Sequence, residues 1–191
     1  MILLVDLCYR EGSLGYEEFV LPVARIVEKA GHAVRAVHYR AGPGTVPDDA
    51  VAVILCGTPL ADTTFLSGLE NFSWLADVRV PVLGVCAGME LICRVFGGTV
   101  GPGEEIGMTE VTVLAPDPLF AGRESFPAYE LHTLACTDPG PLRVLAVSDQ
   151  CIQAVRHPDK PVYGVMFHPE VRNEWVVERF LSLAGEKRIN P

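Results

Sequence analysis

Val82-Leu83-Gly84-Val85-Cys86-Ala87-Gly88-Met89-Glu90 is the stretch on which the fold turns. Its first four residues are apolar or glycine, the pattern of a strand buried on both faces of a parallel sheet. Helical spacing takes over at once, with Met89, Leu91, Ile92, Val95 and Phe96 on one face before Gly97-Gly98. Cys86 stands at the junction with glycines two residues before and after it, the shape of a nucleophile elbow with Cys in place of Ser. Small neighbours permit the tight turn, and the amides and dipole of a helix N-terminus favour a thiolate there. Taken alone, G-x-C-x-G is equally compatible with a small buried cysteine of no chemical role.

Working outward, the first half alternates strand and helix patterns. Ile2–Val5 reads as a strand, Glu17 to Ala30 as a helix closed by Gly31, and Ala33–Tyr39 as a second strand. A loop at Gly42-Pro43-Gly44 leads to the continuous apolar run Ala50–Cys56, then a helix from about Phe65 to Ala76 and a strand over Val80–Val85. This alternation predicts an α/β fold, doubly wound, with a mostly parallel central sheet and helices on both faces. In the second half, Glu110–Leu114, Arg143–Val147, Ile152–Val155 and Val162–Phe167 read as strands separated by turns, and Glu174 to Leu183 as a closing helix. They are expected as antiparallel additions to the same core, with Pro158-Asp159-Lys160 as a turn in which the aspartate caps its own backbone.

The whole chain, residues 1–191, is expected to form one domain, given roughly 100–200 residues per domain. Fifteen Lys and Arg against 24 Asp and Glu give a net charge of −9, which disfavours nucleic acid and anionic membrane surfaces as partners. Met1-Ile2-Leu3-Leu4-Val5-Asp6 lacks the basic start of a secretion signal, and Val80 to Cys93 is too short and broken to span a bilayer. Six scattered cysteines without a C-x-x-C pair suggest reduced thiols, neither a disulfide framework nor a zinc knuckle. A cytoplasmic location is expected.

Two further segments carry candidate chemistry. Phe167-His168-Pro169-Glu170 follows an apolar strand; residues two apart in an extended segment share a face, so Glu170 is placed to orient His168. A thiol, a base and an orienter are the parts of covalent catalysis. Ile54-Leu55-Cys56-Gly57-Thr58-Pro59 ends a strand at the same sheet edge. Gly57 or Thr58 there supplies one candidate oxyanion donor and the Ala87 amide another, against the plainer reading of a strand-ending turn.

Together these segments resemble the class I glutamine amidotransferases in order and spacing. The opening Leu4-Val5-Asp6, the Glu28-Lys29-Ala30-Gly31 helix end, Pro81 to Gly88, Phe96-Gly97-Gly98 and Pro161 to Glu170 all fall where that family has similar segments. The chain looks most like stand-alone glutaminase subunits, such as those of GMP synthase and anthranilate synthase. The resemblance implies a flavodoxin-like core, Cys86 as nucleophile, His168 as general base and acid, and Glu170 as its partner. It implies glutamine as substrate, a γ-glutamyl thioester, ammonia passed to a partner synthetase, and no metal or organic cofactor.

The sequence also departs from that family. Glu90 stands where glutamine is usual, as it does in the related γ-glutamyl hydrolases; four residues after Cys86 it shares the helix face that meets the pocket, unless it is simply a solvated helix residue. Met166 replaces a common glutamine. Leu131-His132-Thr133-Leu134 keeps the histidine of a substrate-gripping segment but lacks its serine and acid, so Leu131 and His132 are substrate-binding candidates, with a packed histidine as the alternative. The resemblance therefore implies a thiol-dependent glutaminase, with two alternatives: a γ-glutamyl hydrolase or amidase acting alone on another γ-linked amide, or a non-catalytic regulatory subunit.

Overall fold

The computed structural model of the chain describes residues 1–41 and 46–186; the loop expected at Gly42-Pro43-Gly44 lies outside them. Strands β1 (Ile2–Asp6), β2 (Val34–His38), β3 (Ala52–Leu55), β4 (Val82–Val85) and β9 (Val162–Val165) run parallel. Of these, β1, β3, β4 and β9 are buried throughout, as their unbroken apolar sequences require. Beyond β9 the sheet turns antiparallel through β8 (Ile152–Arg156), β7 (Arg143–Val147), β5 (Thr99–Val113) and β6 (Ser125–Asp138). All nine strands form one sheet in the order β2-β1-β3-β4-β9-β8-β7-β5-β6. The last of them in sequence thus lies in the middle of the sheet, between β4 and β8.

Helix α1 (Leu21–Lys29) packs against α3 (Glu174–Glu186), with a Lys29–Glu174 ion pair of 3.2 Å between them. Helix α2 (Ala87–Val95) packs on β3, β4 and β9 and is covered in turn by β5 and β6. That double cover explains why Ala87 to Cys93 are all buried, although a two-layer helix buries only one stripe. Among the described residues no helix is long and apolar enough to cross a membrane.

The structure departs from the sequence expectations in five places. The helix expected from Glu17 runs through a π-type segment, Tyr16–Val20, before α1 begins at Leu21. The helix expected from Phe65 to Ala76 is instead two 3₁₀ segments, Thr64–Ser67 and Leu69–Asp77. They divide at Gly68, a weak helix former, and neither carries a side-chain cap. Glu110–Leu114 is only the end of a fifteen-residue β5, whose register slips between Pro102 and Glu105, where proline offers no amide to the ladder. Its partner β6 carries no strand signal in the sequence. In the 157–160 turn it is His157 Nδ1, not Asp159, that accepts the backbone N–H groups of Asp159 and Lys160, at 3.1 and 3.0 Å.

Candidate active site

Cys86 adopts φ 49° and ψ −105° between β4 and α2, a positive-φ conformation that costs a non-glycine residue of order 1–3 kcal/mol. The glycines around it make the turn possible. A Cβ on Gly84 would meet the Gly88 carbonyl carbon and oxygen at 2.4 Å, and one on Gly88 would meet the Leu55 carbonyl oxygen at 2.4 Å. The elbow is therefore fixed by the close approach of the α2 backbone to the sheet at Gly84 and Gly88. Its backbone is pinned too: the Cys86 amide donates to Val165 O at 2.8 Å.

His168 follows β9, the strand beside β4, and its amide donates to Tyr129 O at 2.9 Å. The imidazole is buried, with Nδ1 2.7 Å from Glu170 Oε1 and Nε2 without a partner. Phe19 packs on the ring at a centroid distance of 5.5 Å, and a Cβ at Gly57 would approach its Cε1 to 2.9 Å. Glycine at 57 thus makes room for the histidine. The structure brings Cys86, His168 and Glu170 into one electrostatic cluster. Burial pushes the Cys86 thiol up, against the opposing pull of His168. Burial alone would lower the His168 imidazole, but Cys86 and Glu170 outweigh it and hold it well above its usual value. The thiolate preference expected from the helix terminus is thus countered by desolvation, which sequence position does not reveal.

A cleft above Cys86 is walled by Thr58, Pro59, Ala87, Glu90, Leu131 and His132 and encloses about 10 Å³, room for about one water. Thr58 and Ala87 line the cleft, and Thr58 Oγ1 donates to Asp62 O at 3.0 Å. Asp62, unmarked in the sequence, steadies this wall by also accepting from the Tyr9 amide and from Thr64 Oγ1. The Leu131 carbonyl faces Cys86 Sγ at 3.8 Å. Glu90 is buried at the cleft rather than solvated, and burial pushes its carboxyl up to about 7, with the charge of His132 pulling the other way. At neutral pH this acid therefore spends much of its time protonated and able to donate, as the glutamine it replaces would. Met166 is fully buried in the core.

His132 borders the cleft, but its ring is turned inward: Nδ1 lies 2.8 Å from Gly103 O, and Nε2 faces Glu130 and Glu105 at 3.4 and 3.6 Å. Neither acid stands out in the sequence on its own. Glu130 nevertheless carries a readable signal, because it stands two residues from His132 on one strand, the same spacing that singles out Glu170.

This geometry has counterparts. The sequence model for "Glutamine amidotransferase class-I" matches residues 16–181. The glutamine-hydrolysing GMP synthase subunit of Pyrococcus furiosus is 32% identical over 164 residues, covering 75% of this chain and 84% of that one. Its namesake from Methanopyrus kandleri is 30% identical over 196 residues, covering 97% of this chain and 100% of that one. With the Pyrococcus abyssi protein of the same name, identity is 39% over 127 residues, which span 62% of this chain and 66% of the relative. Among solved structures, a Thermoplasma acidophilum protein assigned to the same GMP synthase component superposes with a TM-score of 0.82 at 22% identity, covering 98% of this chain and 94% of that one. A glutamine amidotransferase from Thermotoga maritima gives 0.70 at 19% identity, covering 100% and 86%. At such identities the structures speak for the fold alone, whereas the sequence match extends through the elbow and the His168 strand: the chain belongs to the class I glutamine amidotransferase family.

Proposed function

We propose that the chain hydrolyses the side-chain amide of glutamine through a thioester on Cys86 and passes the ammonia to a partner synthetase. The observation that carries this reading is the strained Cys86 at a helix N-terminus, electrostatically coupled to a buried His168 that Glu170 orients. A merely structural cysteine has no use for that strain. In this reading residues 1–191 work as one domain, which fits a single sheet containing every described strand.

The competent state holds one proton between sulfur and imidazole. With that proton on His168, the sulfur attacks the amide carbon and a C–S bond forms. Charge develops on the amide oxygen, where the backbone amides at Gly57 or Thr58 and at Ala87 are the candidate donors. On collapse the C–N bond breaks, and His168 gives its proton to the departing ammonia. Water, deprotonated by His168, then attacks the thioester; glutamate leaves and the proton returns to the Cys86–His168 pair.

Relatives named as one component of a glutamine-hydrolysing synthase support a separate synthetase chain as ammonia acceptor. A cytoplasmic setting belongs to the same reading. Glu90 at the cleft favours a second reading, hydrolysis of another γ-glutamyl amide by the chain alone.

Glutamate release, measured with glutamine and with γ-glutamyl amides, in isolation and with candidate synthetases, separates these readings. Turnover of glutamine that a synthetase stimulates, together with labelling of Cys86 by a glutamine-like electrophile, supports the amidotransferase. Activity on γ-glutamyl amides alone supports the hydrolase. An unlabelled Cys86 and no turnover under any condition would leave only a non-catalytic role.

A further inference from the structure

We propose that Glu105, His132 and Cys151, with the buried Glu130 carboxylate beside them, bind one divalent transition-metal ion of the zinc class behind the wall of the cleft. A carboxylate oxygen of Glu105, a ring nitrogen of His132 and Sγ of Cys151 all lie within 4.8 Å of one another. Nε2 of His132 is 3.6 Å from Glu105 Oε2 and 3.4 Å from Glu130 Oε2. These separations exceed the roughly 2.7–2.9 Å of a charge-assisted hydrogen bond. They suit two donors each about 2.0–2.2 Å from a tetrahedral ion, which stand about 3.3 Å apart.

The imidazole is already aimed. Nδ1 is engaged with Gly103 O at 2.8 Å, and this directs Nε2 at the two acids. Gln153 Nε2 donates to Glu105 Oε2 at 2.7 Å and orients that carboxylate in turn. The independent observation is Glu130: it is fully buried, and neither of its carboxylate oxygens, nor His132 Nε2, has a hydrogen-bond partner. A carboxylate sealed in protein without a partner is costly, and a divalent cation at the centre of this group neutralises it.

A mixed set of oxygen, nitrogen and sulfur donors selects zinc-like ions over magnesium or calcium, which take oxygen throughout. Three donors hold the ion and the buried Glu130 carboxylate, 3.4 Å from His132 Nε2, lies beside them to close the fourth position on a small side-chain movement, so the ion is structural. It ties β5, β6 and the β7–β8 turn together, and His132 adjoins the Leu131 carbonyl that faces Cys86, so the ion braces one wall of the cleft. On binding, the Cys151 thiol releases its proton to solvent and the S–metal bond forms. No metal-ligand spacing shows in the sequence because the donors come from separate strands and a turn. The inference is independent of the glutaminase reading.

The test is a titration of the purified, chelator-stripped full chain with Co2+ as a spectroscopic stand-in. The expected result is uptake of one equivalent with tetrahedral absorption and a thiolate-to-cobalt charge-transfer band, displaced by one equivalent of Zn2+ and retained in Cys86→Ser. Cys151→Ser, at a half-buried turn position, loses the charge-transfer band, and His132→Ala loses stoichiometric binding. Failure of the unmodified chain to take up one equivalent, or a charge-transfer band that survives Cys151→Ser or vanishes in Cys86→Ser, would overturn the proposal. Those readings stand even where His132→Ala does not fold.

Discussion

Glu170 Oε1 lies 2.7 Å from His168 Nδ1, and this contact leaves the buried Nε2 as the ring position available to Cys86. The Glu170 carboxylate raises both partners, holding the imidazole protonated and opposing ionisation of the sulfur. Replacing it by the neutral Glu170→Gln therefore lowers the first and the second deprotonation of the Cys86–His168 pair. Both limbs of the kcat/KM profile for glutamate release are expected to move to lower pH, with the maximum reduced on the order of 10²-fold. A profile that keeps both limbs in place would show that Glu170 does not act on this pair.

Strain at Cys86 predicts an inverted order of stability. Alanine must adopt the same φ of 49°, whereas glycine occupies it freely. Cys86→Gly is therefore expected to be more stable than Cys86→Ala by about 1 kcal/mol in urea unfolding, despite glycine's greater chain entropy. Both lose glutamate release by about 10³-fold or more. An alanine variant as stable as the glycine variant contradicts a strained elbow.

Glycine content alone does not decide tolerance. Gly84→Ala and Gly88→Ala each drive a methyl group into backbone at 2.4 Å and are expected to cost about 3 kcal/mol or to prevent folding. Gly185→Ala, near the end of α3 with nothing within 4 Å, is expected to stabilise by about 0.5–1 kcal/mol. Thermal unfolding of the three variants under one buffer checks the contrast.

Glu90 faces the cleft, and its charge raises the Cys86 thiol. Glu90→Gln removes that field at nearly the same size and supplies a hydrogen-bond donor that the ionised carboxylate lacks. At pH 8 glutamate release from glutamine is expected to rise about tenfold, equivalent to about 1.4 kcal/mol of barrier. An unchanged rate would show that the Glu90 side chain has no hold on the reaction.

What each segment buries decides how much of the structure was legible in the sequence. Ile2–Val5, Ala50–Cys56 and Val80–Val85 announce themselves because both faces of a central parallel strand are covered, leaving an unbroken apolar run. In β6 the inward side chains include Glu130 and His132 and the strand carries Pro127, so neither alternation nor β-propensity marks it. Gly101, Pro102, Gly103 and Gly107 likewise hide β5, which tolerates them through a register slip. The elbow and the His168–Glu170 pair were legible because each is a local backbone pattern. The meeting of Glu105 with His132 was not, since it depends on the β5–β6 register and no residue within either strand specifies that alone.

The position of β9 has a consequence for how the chain is made. It follows every other described strand in sequence, yet it lies between β4 and β8, pairing parallel with one and antiparallel with the other. A nascent chain stopped short of residue 162 holds two raw strand edges facing an empty slot. Such edges are templates for pairing between molecules. Truncated products are therefore expected to aggregate or to be held by chaperones, and His168, six residues after the start of that closing strand, enters only as the slot is filled.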